Sequence, residues 1–180
     1  KRFLYGFNLL YKKFEINFAQ NYEFSKNSNY NKEIGNNNNL SDILMDFNYN
    51  SNKTLVRYDV RYNVELKEIN KQTLTINNDN FFSDIKLSYL DEKKESNSIL
   101  TDGNETITLD IDSKKIKKYS KINFTTKYDL LKDNINEYTI GYNYYDECFG
   151  INVDFGRKYY EKESIKPSDT LTLMFSFKNL

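Results

Sequence analysis

Four charged residues inside one alternating segment are the side chains of this sequence best placed to do chemistry. In residues 56–66, VRYDVRYNVEL, Arg57, Asp59, Arg61 and Glu65 fall on alternate positions. Closely spaced acids and bases could form a catalytic cluster, because neighbouring charges shift one another's pKa values. Such sets are more often solvated lattices of opposite charges. We interpret the four residues as part of a polar face that lines water, without a catalytic role.

The rest of the chain offers few reactive groups. The 180 residues include no His and one Cys, so the usual general base and the commonest metal ligand are absent. No phosphate-binding glycine loop, serine-nucleophile motif or zinc motif occurs. The oxygen-rich segment 31–42, NKEIGNNNNLSD, lacks the acidic spacing of a calcium loop, and we interpret it as a flexible loop. We expect no enzyme, no metal and no other cofactor.

The composition narrows the class of protein further. The 26 basic and 26 acidic residues cancel, so no strong field favours a nucleic-acid partner. The 16 Tyr, 13 Phe and single Pro argue against disorder. No apolar run exceeds three residues, which excludes a transmembrane helix. A spanning β-barrel remains open, because its strands are only half apolar.

The alternation in residues 56–66 is typical of a strand with two unlike faces. Val56, Tyr58 and Val60 point one way, and the charged residues between them point the other. Similar patterns predict eleven strands and no helix, which favours an antiparallel sandwich or barrel. The expected apolar faces lie at 3–9, 14–18, 43–49, 56–66, 74–76, 85–89, 107–111, 122–128, 138–144, 151–155 and 171–177.

The expected connections differ between the two ends of the strands. At one end they are short, at 11–13, 50–53, 77–80, 113–116 and 146–147. At the other end three are long and polar, at 25–39, 91–103 and 161–168, and two are brief, at 67–70 and 130–134. Short turns on one rim and long loops on the other are typical of an outer-membrane barrel.

A soluble β-sandwich would also alternate, because its apolar faces pack on each other. Three features favour the membrane: aromatic residues at strand ends, strands of about ten residues, and mid-strand charges suited to a hydrated lumen. We therefore predict an all-β, antiparallel transmembrane β-barrel, here a partial barrel of about eleven strands. The chain opens on KRFLYGFNLL, which already alternates and is not a signal peptide, so we expect a fragment or a processed form.

Cys148 follows the tightest expected turn, at the short-turn rim. A lone Cys is most often a small buried hydrophobe. In an oxidising compartment, an unpaired Cys instead suggests a partner in another chain or in a missing part of the same protein. Both interpretations stay open on the residues alone.

The segment 142–180, YNYYDECFGINVDFGRKYYEKESIKPSDTLTLMFSFKNL, resembles the C-terminal end of the LptD family, the lipopolysaccharide-assembly β-barrels, and particularly its alphaproteobacterial versions. The resemblance is carried by Tyr142, Tyr144, Glu147, Cys148, Arg157, Tyr159, Lys166, Pro167 and the strand at 170–178. Upstream, residues 34–66 resemble a loop of the same family followed by a hairpin, with Ser41 and Asp42 in the matching places.

The resemblance implies a barrel of about twenty-six strands, of which residues 1–180 would be the C-terminal part, without the N-terminal periplasmic domain and the first strands. Lipopolysaccharide would leave sideways between the first and last strands. The final strand, with Leu171, Leu173, Phe175 and Phe177, would form one edge of that lateral gate.

The resemblance also implies partners, a location and a role for the cysteine. The partners would be lipopolysaccharide, a periplasmic transport bridge, a plug lipoprotein and the barrel assembly machinery, all at the cell outer membrane. Cys148 would form a disulfide with the N-terminal domain. Many family members have two adjacent Cys here, whereas this chain has Phe149 next.

Two other classes of protein fit the pattern less well. One is a different outer-membrane barrel, such as a porin or a lipid-remodelling enzyme, although an enzyme without His is not expected. The other is a soluble β-sandwich that acts as a binding module or adhesin domain.

Overall fold

The structure is a computed structural model that describes residues 1–24, 39–96, 99–114, 116, 119–159 and 166–177. Eleven strands and no helix make up this part of the chain. They are β1 (Arg2–Tyr11), β2 (Phe14–Glu23), β3 (Ile43–Asn50), β4 (Thr54–Asn63), β5 (Glu68–Asp79), β6 (Ser83–Ser96), β7 (Ile99–Ser113), β8 (Ser120–Asp129), β9 (Asn134–Tyr145), β10 (Phe149–Lys158) and β11 (Ser168–Phe177). Most of the Asn-rich segment 31–42, most of the expected loops 25–39 and 161–168, and residue 178 lie outside the described residues.

The strands follow one another in the sheet in chain order, from β1 to β11, and the sheet is antiparallel. The prediction of an all-β antiparallel fold with eleven strands is therefore confirmed. Within the described residues the order ends at β1 and β11 and the sheet is not closed, so closure into a barrel remains a prediction.

The chain divides into two compact units. Unit 1 comprises Lys1–Ile76 and Tyr89–Glu105, and unit 2 comprises Asn77–Ser88 and Thr106–Leu180. In unit 1, cross-strand neighbours of like polarity share a face, because side chains alternate along each strand. One row places Phe7, Phe18, Met45 and Val60 opposite one another.

The next row in unit 1 consists of polar residues, Asn8, Asn17, Asp46 and Asp59. Since successive residues point to opposite faces, this row lies on the other side of the sheet from Phe7 and its neighbours. The sheet of unit 1 thus has an apolar face and a polar face.

Unit 2 repeats the same division. Ile111, Phe124, Ile140, Phe155 and Leu171 form a continuous row across β7 to β11. The next row, on the polar face, is Asp112, Asn123, Gly141, Asp154 and Thr172.

The apolar face of each unit lacks a covering layer. Val60, 9% exposed, is the only buried hydrophobic side chain among the residues that the structure describes. Large apolar side chains such as Phe7, Leu9, Phe155 and Leu173 are exposed. A sandwich would bury these side chains against a second sheet. Within the described residues, each unit therefore forms a single layer.

Three expected boundaries were wrong, and one of them is the connection expected at 77–80, where residues 77–79 continue β5. Residues 91–103 were expected to form a polar loop, but most of them extend β6 and β7. The segment reads as a loop because charges occur at consecutive positions, as in Asp91, Glu92, Lys93 and Lys94. A strand with polar surroundings on both faces shows no alternation of apolar and polar residues, so this pattern cannot identify it as a strand.

The third wrong boundary is the end of β4. The strand ends at Asn63, and Glu65 lies in the turn at 64–67 rather than on the strand with Arg57, Asp59 and Arg61. The Asn63 side-chain oxygen accepts hydrogen bonds from the backbone N–H groups of Glu65 (3.0 Å) and Leu66 (2.9 Å), which bends the chain.

The turn after β8 is built in a similar way. The Asp129 carboxylate, 5% exposed, accepts a 3.1 Å hydrogen bond from the backbone N–H of Lys132. Both four-residue turns, 64–67 and 130–133, end on a residue of positive φ, Lys67 at 57° and Asp133 at 53°. These turns thus reverse the chain without glycine.

We predict that Gly6→Ala disrupts the β1–β2 pairing. A Cβ atom on Gly6 would overlap the backbone carbonyl oxygen of Phe18, so the backbone must move. We expect a loss of about 1–3 kcal/mol in the free energy of unfolding. Urea unfolding of the folded chain, followed by far-UV circular dichroism, measures it.

Gly156→Ala is the matched control, because a Cβ atom there would lie 3.3 Å from the Thr139 hydroxyl oxygen and needs only a small adjustment. Equal losses for the two variants would show that close backbone approach at Gly6 is not the cause.

Candidate functional site on the polar face

The polar face of unit 1 carries a connected network of amides and carboxylates. The Asn17 amide donates to Asp46 Oδ1 (3.0 Å) and to Glu15 Oε1 (3.1 Å), and the Asn48 amide donates to the same Asp46 oxygen (2.8 Å). The Asn8 amide extends the network to β1 through Glu15 Oε1, at 2.9 Å. Each of the two carboxylates thus accepts two hydrogen bonds from asparagine amides.

Three of the four predicted polar-face residues lie together on β4. Arg57, Asp59 and Arg61 line an open depression of about 350 Å³, together with Asp46 and Lys71. Arg57 Nε contacts Asp59 Oδ2 at 2.9 Å. This pair is largely exposed, and such pairs contribute about 0–1 kcal/mol to stability.

The Arg57–Asp59 pair therefore contributes little to the stability of the fold. Its main effect is to keep the net charge of a hydrated surface close to zero. Glu65 does not join it, because it lies in the turn at 64–67. Asp46 was missed by the sequence prediction, although its position between Met45 and Phe47 carries the same alternation signal.

The second polar cluster of unit 1 is centred on Asp42, which is 5% exposed. Its Oδ2 atom accepts a 2.7 Å hydrogen bond from the Asn70 amide and lies 3.4 Å from Arg61 Nε. The neighbouring Ser41 joins β2: its hydroxyl accepts a 3.0 Å hydrogen bond from the Asn21 N–H. The Ser-Asp pair singled out in the sequence thus fixes the chain where it re-enters the sheet before β3.

The polar face of unit 2 has its own open depression of about 440 Å³. Its lining residues are Asn77, Asn78, Asp79, Asp84, Ile85, Lys86, Asp110, Asp112 and Thr125. The Thr125 hydroxyl donates to Asp110 (2.8 Å), and Lys114 contacts Asp79 and Asp84. As in unit 1, charges of both signs line the surface.

Cys148 lies in the turn between β9 and β10, where it is exposed and forms no disulfide in this chain. Asp146 Oδ1 accepts hydrogen bonds from the backbone N–H groups of Cys148 (2.9 Å) and Phe149 (2.7 Å). These two bonds hold the pKa of Asp146 below its usual value. The turn therefore fixes the backbone at Cys148 and leaves its side chain exposed to solvent.

The predicted gate residues lie on β11, at one edge of the sheet. Leu171, Leu173, Phe175 and Phe177 pair with alternate residues of β10 and are all more than half exposed. On the other face, β11 presents Thr170, Thr172, Met174 and Ser176, which carry no charge.

No protein-family model and no curated protein sequence matches the chain. Among the described residues, no helix is long and apolar enough to cross a membrane.

We predict that the Asp146 carboxyl titrates below the usual value of 3.8. Because the folded-state pKa is lowered, its contribution to the turn is complete above that value and is lost as the pH falls through the folded-state pKa. The amide chemical shift of Cys148, followed by NMR in detergent micelles, reports the titration. Asp146→Ala should abolish the transition and the control Glu147→Ala should keep it. A midpoint at or above the usual value would contradict the assignment.

Proposed function

We propose that the chain is a membrane-spanning part of an outer-membrane β-barrel, and that this barrel carries lipopolysaccharide to the outer leaflet. The observation that supports the first half is the uncovered apolar face, opposite a face of paired charges. Lipid acyl chains would cover the apolar face, and water would fill the lumen beside the polar face.

The strand lengths fit a membrane. A strand of ten residues, such as β1 or β11, rises about 33 Å. At a tilt of about 40°, this length covers about 25 Å along the membrane normal, which equals the height of the apolar band in such barrels.

Transport of a glycolipid is consistent with the polar face. Sugar hydroxyls and phosphates need both donors and acceptors, which the face offers through Asn17, Asp46, Arg57 and Asp59. Because most of these groups already have partners, the face would hold a passing headgroup weakly. Weak, repeated contacts allow passage, whereas one strong site would retain the lipid.

The choice of lipopolysaccharide rests on the resemblance of 142–180 to LptD and on β11. A lateral gate must separate along a strand edge, and each unpaired charge left in an apolar medium would be costly. The one charged residue of β11, Asp169, contacts Arg157 of β10 at 3.4 Å, so separation along the other edge of β11 would leave no unpaired charge on this strand.

The first test concerns Cys148. The full-length protein isolated from outer membranes is compared on non-reducing and reducing gels, beside Cys148→Ser. We expect a mobility shift that reduction and the substitution each remove, because the exposed thiol would be bound to a second cysteine. An unshifted native protein would leave a generic outer-membrane barrel as the better proposal.

The second test concerns the gate. A photoreactive phenylalanine analogue is placed either at Leu171, on the edge strand β11, or at Phe124, on β8. The two positions lie in the same cross-strand row. We expect severalfold more lipopolysaccharide adduct at position 171, and we expect that excess to disappear when the periplasmic transport bridge is depleted. Equal yields at both positions would contradict a gate at β11.

A further inference from the structure

The apolar face of unit 1 ends on a row of aromatic side chains beside two short turns. Tyr11 of β1 lies opposite Phe14 of β2, and Phe14 lies opposite Tyr49 of β3. We call these three residues the aromatic row. The ring centroids of Phe14 and Tyr49 are 4.9 Å apart, and Tyr11 is 60% exposed. The residues beyond the row, 12–13 and 50–54, are all Lys, Asn, Ser or Thr, so the apolar face stops here.

Three lysines lie in these two turns, directly beyond the aromatic row. Lys12 and Lys13 form the β1–β2 turn, and Lys53 lies in the β3–β4 turn. We call them the turn lysines, and all three are exposed. The two turns are neighbours, because the backbone N–H of Asn50 donates a 2.9 Å hydrogen bond to the carbonyl oxygen of Lys13.

One of the turn lysines contacts the aromatic row itself. The Nζ atom of Lys12 lies 5.1 Å from the centroid of the Tyr11 ring, within the range of a cation–π contact. Lysine can lay its apolar stem along a hydrophobic surface while its ammonium group stays in water. The charge of Lys12 therefore lies where the apolar face ends, beside an exposed ring.

The turn lysines differ from other lysines of the sheet in having no acid nearby in their turns. Among the described residues, four lysines contact a carboxylate: Lys71, Lys93, Lys114 and Lys132. No such pair joins a turn lysine to a described acid. The next acid after the β1–β2 turn, Glu15, accepts its hydrogen bonds from Asn8 and Asn17 on the polar face. The two turns thus carry three positive charges and no negative charge.

We infer that the turn lysines bind the phosphate groups of anionic phospholipid headgroups, and that the aromatic row contacts the same lipids where their acyl chains begin. Exposed rings at the end of an apolar face are typical of a membrane interface. Lysines beside such an interface attract anionic lipids. The inference rests on the proposed membrane location and adds the class of lipid that this part of the sheet selects. Because short turns are typical of the periplasmic rim of a barrel, these lipids belong to the inner leaflet and are distinct from the transported lipopolysaccharide.

Single tryptophans can measure which lipid each end of β1 contacts, because the chain contains no Trp. Tyr11→Trp reports on the aromatic row. Phe3→Trp reports on the same face of β1 eight residues away, a distance of about 26 Å. Each full chain is folded into mixed vesicles of phosphatidylcholine and phosphatidylglycerol, with brominated acyl chains on one lipid or the other. Tyr49→Trp is a second reporter of the row in case Tyr11→Trp does not fold.

Two sets of substitutions are combined with the Tyr11→Trp reporter. The first removes the turn lysines: Lys12→Gln, Lys13→Gln and Lys53→Gln. The matched control removes the same number of charges from turns that contain or contact acids: Lys67→Gln, Lys114→Gln and Lys132→Gln. Lys67 also matches Lys12 in its backbone, since their φ angles are 57° and 54°.

We expect bromine on phosphatidylglycerol to quench Tyr11→Trp more strongly than bromine on phosphatidylcholine, with a preference of about fivefold. This factor corresponds to about 1 kcal/mol, the contribution of one lysine near an anionic membrane surface. The preference should disappear when the turn lysines are removed, persist in the control, and fall at high salt. Phe3→Trp should show no preference, because the charges nearest to it, Arg2 and Glu23, pair with each other.

The outcomes separate this inference from the proposal on which it rests. The turn lysines would be refuted as a headgroup site if the preference were absent at Tyr11→Trp, equal at Phe3→Trp, or unchanged without the lysines, while quenching by lipid persisted. If neither brominated lipid quenched Tyr11→Trp or Phe3→Trp in a folded chain, the membrane location itself would be refuted.

Discussion

Each unit depends on one constraint: within its described residues, no protein layer packs against its apolar face. Burying a large apolar side chain contributes about 1.5–3 kcal/mol, whereas the net stability of a domain is only about 5–15 kcal/mol. Leaving Phe7, Leu9, Phe155 and Leu173 in water therefore forgoes an amount comparable to the stability of the fold. The stabilising burial must come from outside the described residues, and in the proposed membrane location a bilayer would supply it.

The polar face of the sheet carries charged side chains, and these are paired with one another. Its charges are matched by neighbours on the same or adjacent strands, as in Arg57 with Asp59 and Lys71 with Glu92. This pairing keeps the hydrated side free of strong single-sign patches, which would attract and hold ions or charged lipids. The two faces thus follow from the same alternation of apolar and polar residues along each strand.

The features that were predicted correctly from the sequence are those that produce an alternation of apolar and polar residues. Eleven strands and the common face of Arg57, Asp59 and Arg61 were predicted because unlike surroundings impose a period of two. Residues 91–103 were missed because a strand charged on both sides loses that period. Glu65 was misplaced because the hydrogen bond from its backbone N–H to the Asn63 side chain outweighed the pattern. The Asp42–Asn70 contact joins residues 28 apart in the chain, and no local signal carries such a pairing.

The order of the strands has a consequence for how the sheet forms. Every strand pairs with its neighbours in the chain, so the sheet can grow one hairpin at a time without long-range rearrangement. Most of the loops that must close are short, and the entropy cost of closure rises slowly with their length. Each added hairpin, however, brings new apolar surface and a new raw edge. In the proposed membrane location, lipid would meet each strand as it joins, whereas a sheet completed first in water would be prone to aggregate through its open edge.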